Sequence, residues 1–177
     1  MSAGLTAAAI LLFTAGSHEA LATACPSANA APPQVNRQEI AKATRCLINA
    51  ERRSRGLRSL RPNARLSRAA RRHARDMVRR HYFSHTAPGG PTLPQRIRRA
   101  GYIRGTNDWF VGETLAWGTE ARGTARSVVR SWMHSRRHRQ VMMGRSFRDL
   151  GVGVAWGVPS RHLAGGATYA VDFGVRR

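Results

Sequence analysis

The strongest constraint on the fold lies near the C-terminal end of the chain, where two segments alternate large apolar residues with small ones. In residues 150–156 the large residues are Leu150, Val152, Val154 and Trp156. In residues 169–174 they are Tyr169, Val171 and Phe173. A period of two residues is typical of β-strands with one face on a core. We therefore predict two strands that pair antiparallel around the loop at residues 159–166.

Upstream of these strands, apolar residues recur at steps of three and four, which is typical of amphipathic helices. Such helices are predicted over residues 37–55, after Asn63, and after Thr124, with Asn63 and Thr124 as N-caps. A short helix is predicted over residues 93–100 and a strand over residues 110–117. Because helices precede, interrupt and flank a small antiparallel sheet, the pattern predicts one α+β domain rather than a doubly wound sheet.

The N-terminus carries an apolar run that is too short to cross a bilayer. Residues 5–15 are about half the roughly 20 residues that a membrane span needs, and small residues follow them. We predict a signal peptide over residues 1–24, a linker over 25–37 and the domain over 38–175. Cleavage after Ala30 is the alternative. The mature protein is then expected to be secreted to the extracellular space and to have no transmembrane segment.

Cys25 and Cys46 are the only cysteines of the chain. Export favours their oxidation, and cleavage after Ala24 keeps both, so we predict a disulfide between them. Closing this short loop with a disulfide would add about 3 kcal/mol to the free energy of unfolding. The alternative is a lipid anchor on Cys25, although Ala22 stands where a lipoprotein signal usually has Leu.

The chain is strongly basic, with 30 Lys and Arg against 9 Asp and Glu and a formal charge of +21. Such a field attracts polyanions. All the basic residues except Lys42 are arginine, which indicates a compositional bias in coding, and no run interleaves them with aromatic residues. Specific nucleic-acid binding is therefore not predicted, and anionic cell-envelope polymers are the expected polyanionic partners. Most arginines of the second helix should form a solvated face.

A few polar residues stand where they could carry chemistry. Glu113 lies inside an otherwise apolar strand, where a carboxylate is costly unless a cation, a metal or hydrogen bonds meet it. Composition alone favours a structural ion pair for it. His85 stands in a helix-ending turn, and His138 follows a helix end. His73 lies on the apolar stripe of the second helix and is predicted to be a hydrogen-bonded core histidine.

Several runs occur in an order that is known from one family. They are Asn49–Arg52 with Gly56-Leu57, then residues 82–86 (YFSHT), 112–118 (GETLAWG), 132–135 (WMHS) leading to His138, 147–153 (FRDLGVG) and 169–174 (YAVDFG). Together, over residues 45–174, they resemble the CAP superfamily, the cysteine-rich secretory, antigen 5 and pathogenesis-related proteins. Short bacterial secreted members are the most similar.

This resemblance implies a three-layer α-β-α sandwich whose central cleft is lined by two His and two Glu. His85 matches the first His, Glu113 the Glu of the family's Gly-Glu-Asn run, and His138 the second His. Ser135 stands at the fourth position, where many eukaryotic members have Glu. The resemblance thus implies a cleft of His85, Glu113, Ser135 and His138.

In some relatives this cluster binds a divalent metal. Two imidazoles and one carboxylate, here His85, Glu113 and His138, suit zinc better than calcium or magnesium. The positive charge of the surrounding arginines disfavours a divalent cation, and Ser135 is a poorer metal ligand than Glu would be, so both lower the expected occupancy of the metal site. The sequence requires no cofactor, and zinc is the one that it suggests.

The leading hypothesis is a secreted CAP-domain binding module of the extracellular or envelope space, with a lipid, another small molecule or a metal in the cleft. One alternative is a metal-assisted hydrolase in which Glu113 acts as base or ligand and Ser135 or a His assists. The sequence has neither a Gly-x-Ser-x-Gly elbow nor a His-Glu-x-x-His run, so catalytic residues stay unknown. A further alternative is a polyanion binder driven by the arginine surface.

Overall fold

A computed structural model describes residues 25–177, and the predicted signal peptide lies outside the described residues. The elements are α1 (Arg37–Arg53), β1 (Arg61–Pro62), α2 (Ala64–Arg80), α3 (Leu93–Arg99), β2 (Trp109–Gly118), α4 (Ala125–His134), α5 (Arg136–Met142), β3 (Asp149–Trp156) and β4 (Ala167–Arg176). A 3₁₀ turn, Glu120–Gly123, joins β2 to α4. The predicted N-caps are confirmed, since Asn63 accepts from the Arg65 and Leu66 amides and Thr124 from the Ser127 amide.

The sheet has the strand order β1-β3-β4-β2. β4 pairs antiparallel with β3 on one side and with β2 on the other, which confirms the predicted antiparallel pair. β1 adds a parallel edge to β3 through only Arg61 and Pro62. This edge was not predicted, because two residues are too few to show a period.

Helices cover both faces of the sheet, which confirms the predicted α-β-α sandwich. The large residues of β3 and β4 face α1 and α4 and form a core with Ile40, Leu47, Val128 and Trp132. The small residues face α2, whose Ala70, Ala74 and Met77 pack on Leu115, Ala155 and Ala170. The alternation in sequence thus separates a face of large side chains from a face on which a helix lies close.

The glycines of β3 let the α2 backbone approach the sheet. A Cβ at Gly151 would lie 2.1 Å from the Ser67 amide nitrogen, and one at Gly153 would lie 2.2 Å from the Arg71 amide nitrogen. Both distances are far below van der Waals contact, so the packing of α2 requires glycine at these two positions.

Cys25 and Cys46 form the predicted disulfide, with their Cα atoms 5.7 Å apart. The bond ties the N-terminal segment to α1. It uses the Cys25 sulfur, which the lipid-anchor alternative would need. In residues 25–177, no helix combines the length and the apolar character that a bilayer crossing demands.

The close approach of α2 makes a testable prediction. Gly151→Ala should lower the free energy of unfolding by about 3 kcal/mol, because the new methyl group meets helix backbone rather than a flexible side chain. Gly105→Ala is the control, because its Cβ would have no atom within 4 Å. Only the backbone φ of +77° is unfavourable for alanine, so the free energy of unfolding should fall by about 1 kcal/mol. Urea unfolding measures both, and equal losses would contradict the packing argument.

Candidate functional site

Glu113 is the centre of the site. It lies in the middle of β2 on the face toward α2, and its side chain is 1% exposed. The Arg96 Nη2 atom donates a hydrogen bond to Oε2 at 2.5 Å, and His85 Nδ1 lies 2.7 Å from Oε1. Each carboxylate oxygen therefore has its own partner. The predicted ion pair is confirmed, with Arg96 as a cation that the sequence did not single out.

Arg96 also holds the turn that carries His85. Its side chain is 7% exposed, and its Nη1 atom donates to the His85 carbonyl at 2.7 Å and to the Pro91 carbonyl at 3.3 Å. The N-terminus of α3 is fixed by Gln95, whose side chain accepts from the Thr92 amide at 2.9 Å. One guanidinium thus joins α3, the turn and β2, and it sets where the His85 ring stands.

His73 of α2 approaches the same carboxylate from another side. Its Nε2 atom donates to the Ser84 carbonyl at 3.0 Å and lies 3.9 Å from Glu113 Oε2. Burial lowers the pKa of His73 and outweighs the opposing effect of the Glu113 charge. The predicted core histidine is confirmed as buried and hydrogen-bonded, and its contact with Glu113 is a feature that the sequence did not indicate.

Glu113 remains ionised despite its burial. Burial alone would raise the pKa of the carboxyl, but the His85 hydrogen bond and the positive charge of Arg96 lower it more. The site therefore holds one fixed negative charge behind the His85 ring.

Asp172 lies opposite Glu113 in the β2–β4 register. It is fully buried, and neither of its carboxyl oxygens makes a hydrogen bond of standard geometry. Burial, followed by the negative charge of Glu113, raises its pKa well above the usual range. The Glu113 charge thus favours the protonated form of Asp172. An acid in an apolar strand is the same signal that singled out Glu113, and it could have found Asp172.

His138 and Ser135 lie where α4 gives way to α5. Ser135 has an extended backbone with φ −88° and ψ 119°, and the Arg139 Nη1 atom donates to the Met133 carbonyl at 2.8 Å. This places His138 in the first turn of α5. Burial, followed by the charge of His85, lowers the pKa of His138.

Of the four predicted cleft residues, only His85 and Glu113 are joined by a hydrogen bond or ion pair within the described residues. The side chains of Ser135 and His138 make no hydrogen bond to any residue within 25–177. Across the same residues, no three His, Cys, Asp or Glu side chains are grouped so that they could hold a metal ion. Both Glu113 oxygens are engaged, so this carboxylate stands behind His85 as an outer-shell partner, an arrangement typical of metal-binding histidines. The zinc site predicted on His85, Glu113 and His138 stays a prediction, with Glu113 behind His85 rather than free to coordinate.

A cavity of about 620 Å³ adjoins this site. It is lined by His73 and Arg96 but not by His85, Ser135 or His138. His73 and Arg96 therefore stand between the cavity and the Glu113 carboxylate.

The α-β-α fold is that of a CAP-type domain, and comparison with known sequences gives the family. Residues 46–163, more than half of the chain, match the CAP family, described as the cysteine-rich secretory protein family. The chain belongs to this family. It is also 32% identical over 140 residues to Uncharacterized protein YkwD of Bacillus subtilis, covering 79% of this chain and 51% of the relative. It thus spans about half of that protein's length.

Solved structures agree on the fold. An outer surface protein from Borrelia burgdorferi superposes with a TM-score of 0.64 at 23% identity, over 81% of this chain and 97% of that one. An extracellular protein containing a SCP domain from Bacillus anthracis gives 0.62 at 23% identity, over 81% of this chain and 44% of that one. At these identities the likeness establishes the architecture alone.

The Arg96–Glu113 pair should be essential for stability. Arg96→Met should cost about 3–5 kcal/mol of unfolding free energy, because it leaves a buried carboxylate without its cation. Arg98→Met removes an exposed arginine from the same helix and should cost less than about 0.5 kcal/mol. Urea unfolding compares the two variants; similar losses would show that Arg96 is not the counter-charge of Glu113.

Asp172 makes a prediction about pH. When the pKa of an acid is higher in the folded chain than in the unfolded chain, the free energy of unfolding falls as pH rises between the two values. The unfolded value for Asp is about 3.9. Asp172→Asn removes this titration and keeps the shape of the neutral acid. The variant should therefore gain stability relative to the native chain as pH rises from about 4 through neutral pH. Urea unfolding across this range tests it, and a difference that does not change with pH would contradict a protonated Asp172.

Proposed function

We propose that this chain is an exported CAP-domain binding module that holds its ligand at the imidazole of His85. One observation carries the proposal: His85 Nδ1 is 2.7 Å from the buried Glu113 carboxylate, while the His85 side chain is 58% exposed. The carboxylate fixes the orientation of the ring through one nitrogen and leaves Nε2 for a ligand.

Three observations support export. The Cys25–Cys46 disulfide is of a kind that persists in oxidising compartments. A fold relative is described as an outer surface protein in Borrelia burgdorferi, and another as an extracellular protein in Bacillus anthracis. We accordingly propose that the signal peptide over residues 1–24 directs the chain out of the cell.

The first occupant to test is Zn²⁺, with a lipid or another small molecule as the alternative. His85 and His138 would supply imidazole ligands, and Glu113 would orient His85 from behind. When bound, the ion would supply a Lewis acid in the cleft. Arg136 and Arg137, at the start of α5, raise the local positive potential and should keep the affinity modest.

The hydrolase alternative has no specific observation in its favour. The Glu113 side chain is 1% exposed and both of its oxygens are engaged, so it cannot itself take a proton from a bound substrate. That role would fall to His85. Ser135 makes no hydrogen bond that would activate its hydroxyl within the described residues, and catalysis therefore stays outside the proposal.

Calorimetric titration with Zn²⁺ tests the site. The native chain should show one site whose heat is lost in His85→Ala and His138→Ala. Glu113→Gln should weaken binding by about 10–100-fold, the usual cost of losing an outer-shell carboxylate. His162→Ala removes an exposed loop histidine and should bind zinc as the native chain does. Equal heats in all five proteins would refute a metal at His85.

A further inference from the structure

The cavity beside α2 is unusual in its charge. Its lining includes six arginines, which are Arg72, Arg75, Arg79, Arg80, Arg96 and Arg99. Apolar wall is supplied by Ala69 of α2 and by Ala87 and Pro91 of the facing turn. We call this cavity the arginine groove. It runs between α2 on one side and the turn with α3 on the other.

Little negative charge balances these arginines. Asp76 is the one acid in the lining, and it pairs with Arg79 at 2.9 Å and with Arg80 at 3.4 Å. Arg96 is neutralised by Glu113 behind the wall. Within residues 25–177, the side chains of Arg72, Arg75 and Arg99 make no ion pair or hydrogen bond. The groove therefore keeps several uncompensated positive charges next to one another.

The spacing of the groove arginines favours more than one anionic group. Arg72, Arg75 and Arg79 follow the i, i+3, i+7 positions of α2, so they share a side of the helix over roughly 10 Å. Arg99 of α3 faces them across the groove. Like charges at these spacings repel one another unless an anion lies between them. A single small anion could satisfy only one end of such a row.

We propose that the arginine groove binds a slim chain that carries at least two phosphate groups. Guanidinium groups match phosphate oxygens with paired hydrogen bonds. The apolar wall suits the backbone of such a chain between its phosphates. The groove is distinct from the His85 cleft, although His73 and Arg96 form part of the wall between them, and the proposal does not depend on a ligand at His85.

Titration with tripolyphosphate at about 0.15 M salt, where exposed charges are well screened, tests the groove. Arg75→Gln/Arg99→Gln removes two unpaired groove charges and should weaken binding at least tenfold. Arg122→Gln/Arg161→Gln removes the same charge from exposed positions elsewhere and should weaken it less than threefold. His85→Ala should bind tripolyphosphate as the native chain does, which separates this site from the proposed cleft. Inorganic phosphate should bind at least tenfold more weakly than tripolyphosphate.

Several outcomes would overturn the proposal. Equal losses in the two double variants would mean that tripolyphosphate binds the general positive field, and equal affinities for the two phosphates would remove the multiple-phosphate argument. Polyglutamate and a single-stranded oligonucleotide serve as competing polyanions. If either responds to the groove substitutions as strongly as tripolyphosphate does, the assignment to a slim phosphate chain is wrong. Circular dichroism of both double variants confirms that folding is unchanged.

Discussion

The Glu113 carboxylate is the interaction on which the site and much of the surrounding structure depend. A charge buried in the face between a sheet and a helix must be met by partners, because water cannot reach it. Here the partners come from three directions: Arg96 from α3, His85 from the preceding turn and His73 from α2. The requirement to satisfy one acid therefore helps to hold α3 and the preceding turn in place, together with the apolar packing of Ile97 of α3.

The burial of that face depends on the small residues of the strands. Gly151 and Gly153 let the α2 backbone lie against β3. Glu113 and Asp172, on the same face, respond to burial in opposite ways. The His85 hydrogen bond and the charge of Arg96 lower the pKa of Glu113 despite its burial, whereas burial and the Glu113 charge raise the pKa of Asp172 more than Arg96 lowers it. The packing of α2 on the sheet also determines where its arginines lie. They line the arginine groove together with residues of the turn and of α3.

Much of this could be predicted from the sequence. The N-caps, the alternating strands and the cysteine pair are local or few in number, and the structure confirms them. The resemblance to the CAP family also named His85 and Glu113, which meet as it implied. Arg96 was missed because one arginine among so many carries no distinguishing pattern, and Asp172 was missed because the acid-in-strand argument was applied to Glu113 alone. β1 has only two residues, which are too few to show the two-residue alternation that predicts a strand.

By itself the sequence determined which segments become helices and strands and which face of each is apolar, because periodicity and capping are read over a few neighbouring residues. Only the tertiary structure decided which arginine neutralises Glu113, which His85 nitrogen is left free, and which of two facing acids keeps its proton. Those outcomes depend on distances and burial between residues far apart in the chain. Coulombic and desolvation energies change steeply over a few ångströms, and no local pattern records such distances.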